Sequence, residues 1–299
     1  DLDLVVSHGQ TVWHEPPVQD GRGATLQLGD AATLAERLGV DVVSDLRTRD
    51  VAAGGQGAPL VPWGDVVCFS SRDESLALQN LGGMANVTVL PRRSDSLPLE
   101  DVLAFDTGPG VALLDGAAAR ASGGRSSFDE GGSMARRGTL CPALLDELMT
   151  HPFFRTPPPR STGREDFGDA FLGALLERNP PAGASGWDDL MATLTAFTAR
   201  SMADASRAWV LPRGVDRTVL LGGGALNPAL VDAIRLELGD HPVSVGSREA
   251  LGVEPEFREA LCFALLGWAH RMGIPGNVPS ATGASGPRVL GSLTPGGVR

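Results

Sequence analysis

Three glycine-rich turns, each approached by an apolar run, constrain this chain more than any other feature. They are Asn80-Leu81-Gly82-Gly83-Met84-Ala85-Asn86, Asp106-Thr107-Gly108-Pro109-Gly110 and Gly222-Gly223-Gly224-Ala225-Leu226-Asn227. Glycine after a strand lets the backbone come close to a phosphate or a nucleobase, and a helix that follows adds the positive end of its dipole. Taken singly, such a turn is more often structural than functional. The first lies between two strand-like runs, Leu76 to Gln79 and Val87 to Leu90, and reads as a hairpin whose tip presents backbone N–H groups. The second follows the run Val102 to Phe105. The third follows Val219-Leu220-Leu221 and precedes the helical pattern of Pro228 to Leu238.

The remaining segments alternate in the same way, which predicts an α/β fold with mixed sheets. Strand-like runs cover Asp3 to Ser7, Ala24 to Leu28, Asp41 to Ser44 and Asp65 to Phe69. A helix over Ala31 to Leu38 is closed by Gly39. Helical patterns then cover Val111 to Arg120, Cys141 to Met149, Phe167 to Glu177, Leu190 to Trp209 and Glu256 to Met272. The Gly183 to Gly186 stretch reads as a loop, and a Gly/Pro/Ser-rich tail runs to Arg299. At 299 residues the chain is long enough for one large or two medium cores. A formal charge of -11 argues against nucleic acid and anionic membrane as partners but leaves room for a small anion held by local donors. No apolar run reaches the roughly 20 residues of a membrane span. Cys68, Cys141 and Cys262 have neither disulfide nor zinc spacing and suit a reducing cytoplasm; no metal ligand set is expected.

Asp106 sits where a strand-like run meets a Gly/Pro turn, a place that holds a carboxylate rigidly at a cleft and suits a general base. On the residues alone, capping the helix that begins near Gly110 is the simpler role. Glu259, in Glu256-Phe257-Arg258-Glu259-Ala260-Leu261, either faces a site or complements a helix N-terminus. His8 and Gln10 follow a strand in a phrase too polar for a core, so they contact a polar ligand or lie in a solvated loop. Arg47, Arg49 and Asp50 precede a glycine loop and either pair with one another or meet a substrate carboxylate.

Whole phrases then carry a resemblance. Ser7-His8-Gly9-Gln10-Thr11 with His14-Glu15-Pro16, Leu26 to Gly29, Asp45 to Pro62, Asn80 to Asn86, Phe105 to Gly110, Ser161 to Glu165 and Pro275 to Ala284 occur in the order of the anhydro-N-acetylmuramic acid kinases. The chain resembles that family over almost its whole length. The resemblance implies a two-domain actin-like (ribonuclease H-like) kinase fold, ATP and Mg²⁺ as cofactors, an amino sugar as substrate, a cytoplasmic location and a homodimer. It makes Asp106 the base that activates water against the anomeric carbon of a 1,6-anhydro sugar. It places Glu259, His8, Gln10, Arg49 and Asp50 at the sugar, and Asn80, Gly82, Gly83, Asn86, Gly108, Gly110, Gly222, Gly223, Gly224 and Asn227 at the nucleotide.

Two departures qualify the match. The family's N-terminal GTSxDG phosphate loop occurs nowhere in the 299 residues, and the chain opens on Asp1 inside an apolar run. The expectation is therefore a first domain truncated at its N-terminus, with unpaired apolar strand edges, or else a sugar-binding or regulatory relative with impaired catalysis. Residues 1–47 with 274–299 would form that first domain, and 48–273 the second. Val111 stands where the family usually has Asn after DTGPG.

Overall fold

The computed structural model describes residues 2–17, 23–95, 97 and 99–297. It is mixed α/β, with parallel and antiparallel strand pairs, as the alternation of the sequence predicts. The chain divides into two compact units, one of Asp1–Asp73, Leu90–Ala104 and Glu256–Arg299, the other of Glu74–Val89 and Phe105–Pro255. This division puts 48–73, 90–104 and 256–273 with the first unit, away from the boundaries at 47 and 274 read from the sequence. Buried polar links explain the difference. Arg258 grips Asp65 from across the sequence, and Asp50 accepts hydrogen bonds from Asn277 and Thr282.

In the first unit, strand β1 (Leu4–Val6) pairs in parallel with what is here β4 (Asp41–Ser44), and β10 (Ser292–Thr294) lies antiparallel on the other side of β4. Strand β2 (Gln10–Glu15) forms a separate ribbon with β3 (Ala24–Leu28), bulged between Thr11 and Trp13. The helix Ala31–Leu38 has the limits predicted: Asp30 accepts from the Ala32 and Thr33 amides, and Gly39 closes it at φ 66. The apolar run Asp65 to Phe69 is not a strand but the end of a helix, Val61–Phe69, started by Pro62. A short apolar run does not distinguish strand from helix, and here packing decides. Gly64 lets this helix lie directly on Cys262 of the helix Arg258–Arg271, since a Cβ at Gly64 would meet Cys262 Sγ at 2.6 Å. The same contact line carries Asp65, wholly buried, with Arg258 Nε donating to its Oδ1 at 2.8 Å and a second, shorter bond joining Nη2 to Oδ2.

The second unit is built on a five-stranded sheet of order β7-β6-β5-β8-β9, from β5 (Leu76–Leu81), β6 (Met84–Leu90), β7 (Leu103–Pro109), β8 (Arg217–Leu221) and β9 (Val243–Val245). Strands β5, β8 and β9 run parallel, and the largely buried residues of β5 and β8 are those of strands covered on both faces. Strand β7 continues through Asp106 to Pro109, so DTGPG is strand where the sequence suggested a turn. The helix Gly183–Ala205 starts at the glycine stretch read as a loop and continues as a π-helical turn, Ser206–Val210, through Trp209. Its buried Met191, Leu194 and Phe197 fill a core with Leu113, Phe167 and Leu172. Gly168, with a φ of -110, separates a short turn of helix from the helix Asp169–Arg178, where the sequence suggested one run from Phe167.

The buried Asp65–Arg258 pair is the clearest lever on the first unit. Asp65→Ala leaves a guanidinium buried without its anion, and the expected loss is about 3–5 kcal/mol, read as a lower urea midpoint at unchanged slope.

Candidate active site

The glycine turns of the second unit meet. Gly82 and Gly83 form the two-residue link between β5 and β6. The Gly82 carbonyl accepts from the Val111 amide at 2.8 Å, and the Gly83 carbonyl accepts from Gly110 and Ala112 at 2.9 and 3.1 Å. The Gly110, Val111 and Ala112 amides at the start of the helix Ala112–Ala121 are thus taken by the hairpin tip. Backbone lies on backbone here, and a Cβ on Gly110 would collide with the Gly82 carbonyl. Gly222 has φ 81, and a side chain on it would run into Asn80 and the Leu81 backbone; one on Gly224 would meet Leu81 and Val111. These glycines are required so that the turns can touch. Gly223 differs: nothing lies within 4 Å of where its Cβ would be, and it is exposed, as is Gly83. The surface left for a ligand is therefore the Gly83 and Gly223 side of the junction.

Other residues assigned to a nucleotide have internal work. Asn227 caps the helix Pro228–Leu238, its Oδ1 accepting from the Ala229 and Leu230 amides. Gly108, at φ 139, is packed on Phe154 and Ser201. The Asn86 carbonyl accepts from Gln79 Nε2 at 3.0 Å; Gln79 is fully buried and also donates to Thr107 Oγ1 at 3.1 Å.

Asp106 lies within β7, partly buried. Its Oδ2 accepts from the Thr162 amide at 2.9 Å, and Oδ1 has no hydrogen-bond partner among the described residues. The helix Ala112–Ala121 begins at Val111 without a side-chain cap, so capping is not what Asp106 does. Burial raises its carboxyl from 3.8 to about 6; the Thr162 amide and the nearby Arg160 pull it down, and Glu165 pushes it up. A carboxylate with one oxygen fixed, the other free and a proton affinity close to neutral can take a proton from a water. The Thr162 hydroxyl in turn donates to Asp166 at 2.7 Å. Sequence reading picked out the phrase around Thr162 without giving it a role, because its contribution is an amide.

The sugar candidates fall in the first unit, and the structure sorts them. Arg47 Nε donates to His8 Nε2 at 2.9 Å, which fixes the proton of His8 on Nδ1, donating to the Gly9 carbonyl at 2.7 Å. Burial, with Arg47 adding to it, holds His8 below its usual range, and both ring nitrogens are engaged by protein groups. Arg47 is mostly enclosed, gives Nη1 to the Gly57 carbonyl at 2.6 Å, and feels the charges of Glu259 and Asp50. Asp50 is wholly buried: Oδ1 accepts from Asn277 and Thr282, each at 2.8 Å, and Oδ2 from the Gly57 amide at 2.8 Å. It is a tie between the glycine loop and the tail and offers no open oxygen to a ligand. Gln10 is exposed and, among the described residues, its side chain donates only to its neighbour Thr11. The Arg49 side chain is exposed and has no partner among the described residues. Glu259 is exposed in the first turn of the helix Arg258–Arg271, within electrostatic reach of His8 and Arg47. Of the Arg47, Arg49 and Asp50 group, Arg47 and Asp50 are engaged within the protein and Arg49 is the exposed member.

The profile of the family described as anhydro-N-acetylmuramic acid kinase matches residues 1–296. An anhydro-N-acetylmuramic acid kinase of Streptomyces coelicolor is 49% identical over 98% of this chain and 71% of the relative. Enzymes of the same name from Caldanaerobacter subterraneus subsp. tengcongensis and Gloeobacter violaceus are 42% and 46% identical, over 98% and 99% of this chain and 74% and 75% of theirs.

The raised Asp106 carboxyl makes a signed stability prediction. The folded state binds the proton more tightly than the unfolded chain, so between pH 3.8 and about 6 stability falls as pH rises. Above both values the ionised group costs about 2–3 kcal/mol. Asp106→Asn, which keeps an acceptor for the Thr162 amide, should raise the unfolding midpoint at pH 8 and lose that advantage at pH 4, as followed by thermal denaturation.

Proposed function

The chain belongs to the anhydro-N-acetylmuramic acid kinase family, and from that premise we propose that it opens 1,6-anhydro-N-acetylmuramic acid with water and phosphorylates the released oxygen from ATP. The product is N-acetylmuramic acid 6-phosphate, which places the protein in peptidoglycan recycling. The three relatives named above all carry the enzyme's name, and nothing favours a sugar-binding relative without catalysis.

The observation that carries the site assignment is Asp106, with Oδ2 held by the Thr162 amide, Oδ1 free and a proton affinity near neutral. In the reaction Asp106 takes a proton from water, and the water oxygen bonds to the anomeric carbon. The bond from that carbon to the 6-oxygen breaks as this oxygen bonds to the γ-phosphorus, and ADP leaves with the bridging oxygen. The proton on Asp106 then passes to solvent. Phosphoryl transfer asks mainly for positioning and charge neutralisation. The exposed Gly83 and Gly223 backbone suits close approach of a nucleotide. Magnesium would accompany the phosphates with its own waters, as it commonly does. Arg49 and Glu259 are the first unit's candidates for polar contact with the sugar. A homodimer and a cytoplasmic location are part of the same reading. Among the described residues no helix is long and apolar enough to cross a membrane.

The experiment incubates the chain with ATP, Mg²⁺ and the anhydro sugar in ¹⁸O-water. A phosphorylated sugar carrying one heavy oxygen is expected, with loss of its formation and retained ATP binding in Asp106→Asn. Normal turnover by that variant would sink the role of Asp106.

A further inference from the structure

Arg160 has a set of contacts that the proposed chemistry leaves unexplained. Beside β7, the segment Arg160 to Thr162 meets Asp106 as a strand would: the Asp106 amide donates to the Arg160 carbonyl at 3.1 Å. Continued as a parallel ladder, this pairing would send the Thr162 amide to the Asp106 carbonyl. Instead that carbonyl accepts from Arg160 Nε at 3.0 Å, and the Thr162 amide goes to the Asp106 carboxylate at 2.9 Å. A side chain has replaced an amide in the ladder and released that amide for the acid.

The replacement is firmly anchored. Arg160 Nη1 donates to the Thr156 carbonyl at 2.7 Å, with longer bonds to the Phe153 and Phe154 carbonyls. Its guanidinium lies 4.6 Å from the centre of the Phe153 ring and 5.5 Å from that of Phe105. Among the described residues its hydrogen bonds all go to backbone carbonyls, so it acts on Asp106 through backbone geometry and through its field.

We propose that Arg160 is the positioning residue for Asp106: by occupying the Asp106 carbonyl it turns the Thr162 amide onto the carboxylate and leaves the other oxygen free for water. This rests on the reading of Asp106 as the base. The charged groups acting on Asp106 are Arg160 and, in the opposite sense, Glu165; Asp166 is bound to the Thr162 hydroxyl. Without Arg160, Asp106 loses both a favourable charge and the bond to its ionised form, so its titration moves up.

The test follows the Asp106 carboxyl carbon by NMR titration of the full chain and kcat against pH, in wild type, Arg160→Gln and Arg160→Lys. The wild type should titrate at about 6. In Arg160→Gln the midpoint and the acid limb of kcat should rise by about one unit. At pH 7 kcat should fall about tenfold to a hundredfold, with KM for ATP changed by no more than about twofold. Arg160→Lys restores the charge without the planar fork: its midpoint should return toward wild type while kcat stays low. An unmoved midpoint and unchanged kcat in folded Arg160→Gln overturn the proposal. If that variant does not fold, Arg160→Lys decides, and a wild-type kcat overturns it. A wild type with no titration near 6 and an active Asp106→Asn overturn the reading of Asp106 itself, a result separable from failure of Arg160 alone.

Discussion

The candidate site of the second unit depends on one contact between two stretches of bare backbone, the Gly82 carbonyl against Gly110 and Val111. The missing Cβ of Gly110 allows the strand carrying Asp106 to pass into its following helix while touching the hairpin tip. That contact anchors the segment after Asp106 and aligns the third glycine turn through Gly224, which packs on Leu81 and Val111. Because the bonds are amide to carbonyl, side chains can vary around the junction while its geometry stays the same. Val111, which departs from the family's usual residue, contributes here an amide and an apolar wall.

The two units bury their acids in different ways. Asp65 is matched with a guanidinium, Arg258, which donates to both of its oxygens. Asp50 has no cation bonded to it and is satisfied by two side-chain donors and an amide. Asp106 is the intermediate case, half satisfied and half open, and burial moves its proton affinity toward neutrality. A fully satisfied carboxylate is a structural tie; an incompletely satisfied one retains the capacity to react.

Much of the fold was legible in the sequence. The helix Ala31–Leu38 shows its cap, its stripe and its closing glycine in the chain itself, and the helix Pro228–Leu238 likewise has its boundaries marked by Asn227, Pro228 and Gly239. The run Asp65 to Phe69 was not legible, because its apolar residues suit either period and the deciding partner, Cys262, lies far along the chain. Asp106 could be found from its phrase. Arg160 could not, since it works on the backbone of a residue 54 positions away. The burial of Asp50 could not be read either: a charged residue beside a glycine loop looks the same in sequence whether it faces a cleft or a core.

The tie at Asp50 also has a temporal meaning. Asn277 and Thr282 stand 227 and 232 residues from it, and the second unit lies almost wholly within that interval. During synthesis the Asp50 carboxylate emerges long before its donors, and its loop with them cannot close until the later segment is made. The continuous stretch Phe105–Pro255 has most of its partners in hand earlier. Assembly therefore runs from the inserted unit outward, with closure of the split unit as the late, high-contact-order step. The last donors to arrive complete the shell around the first buried acid.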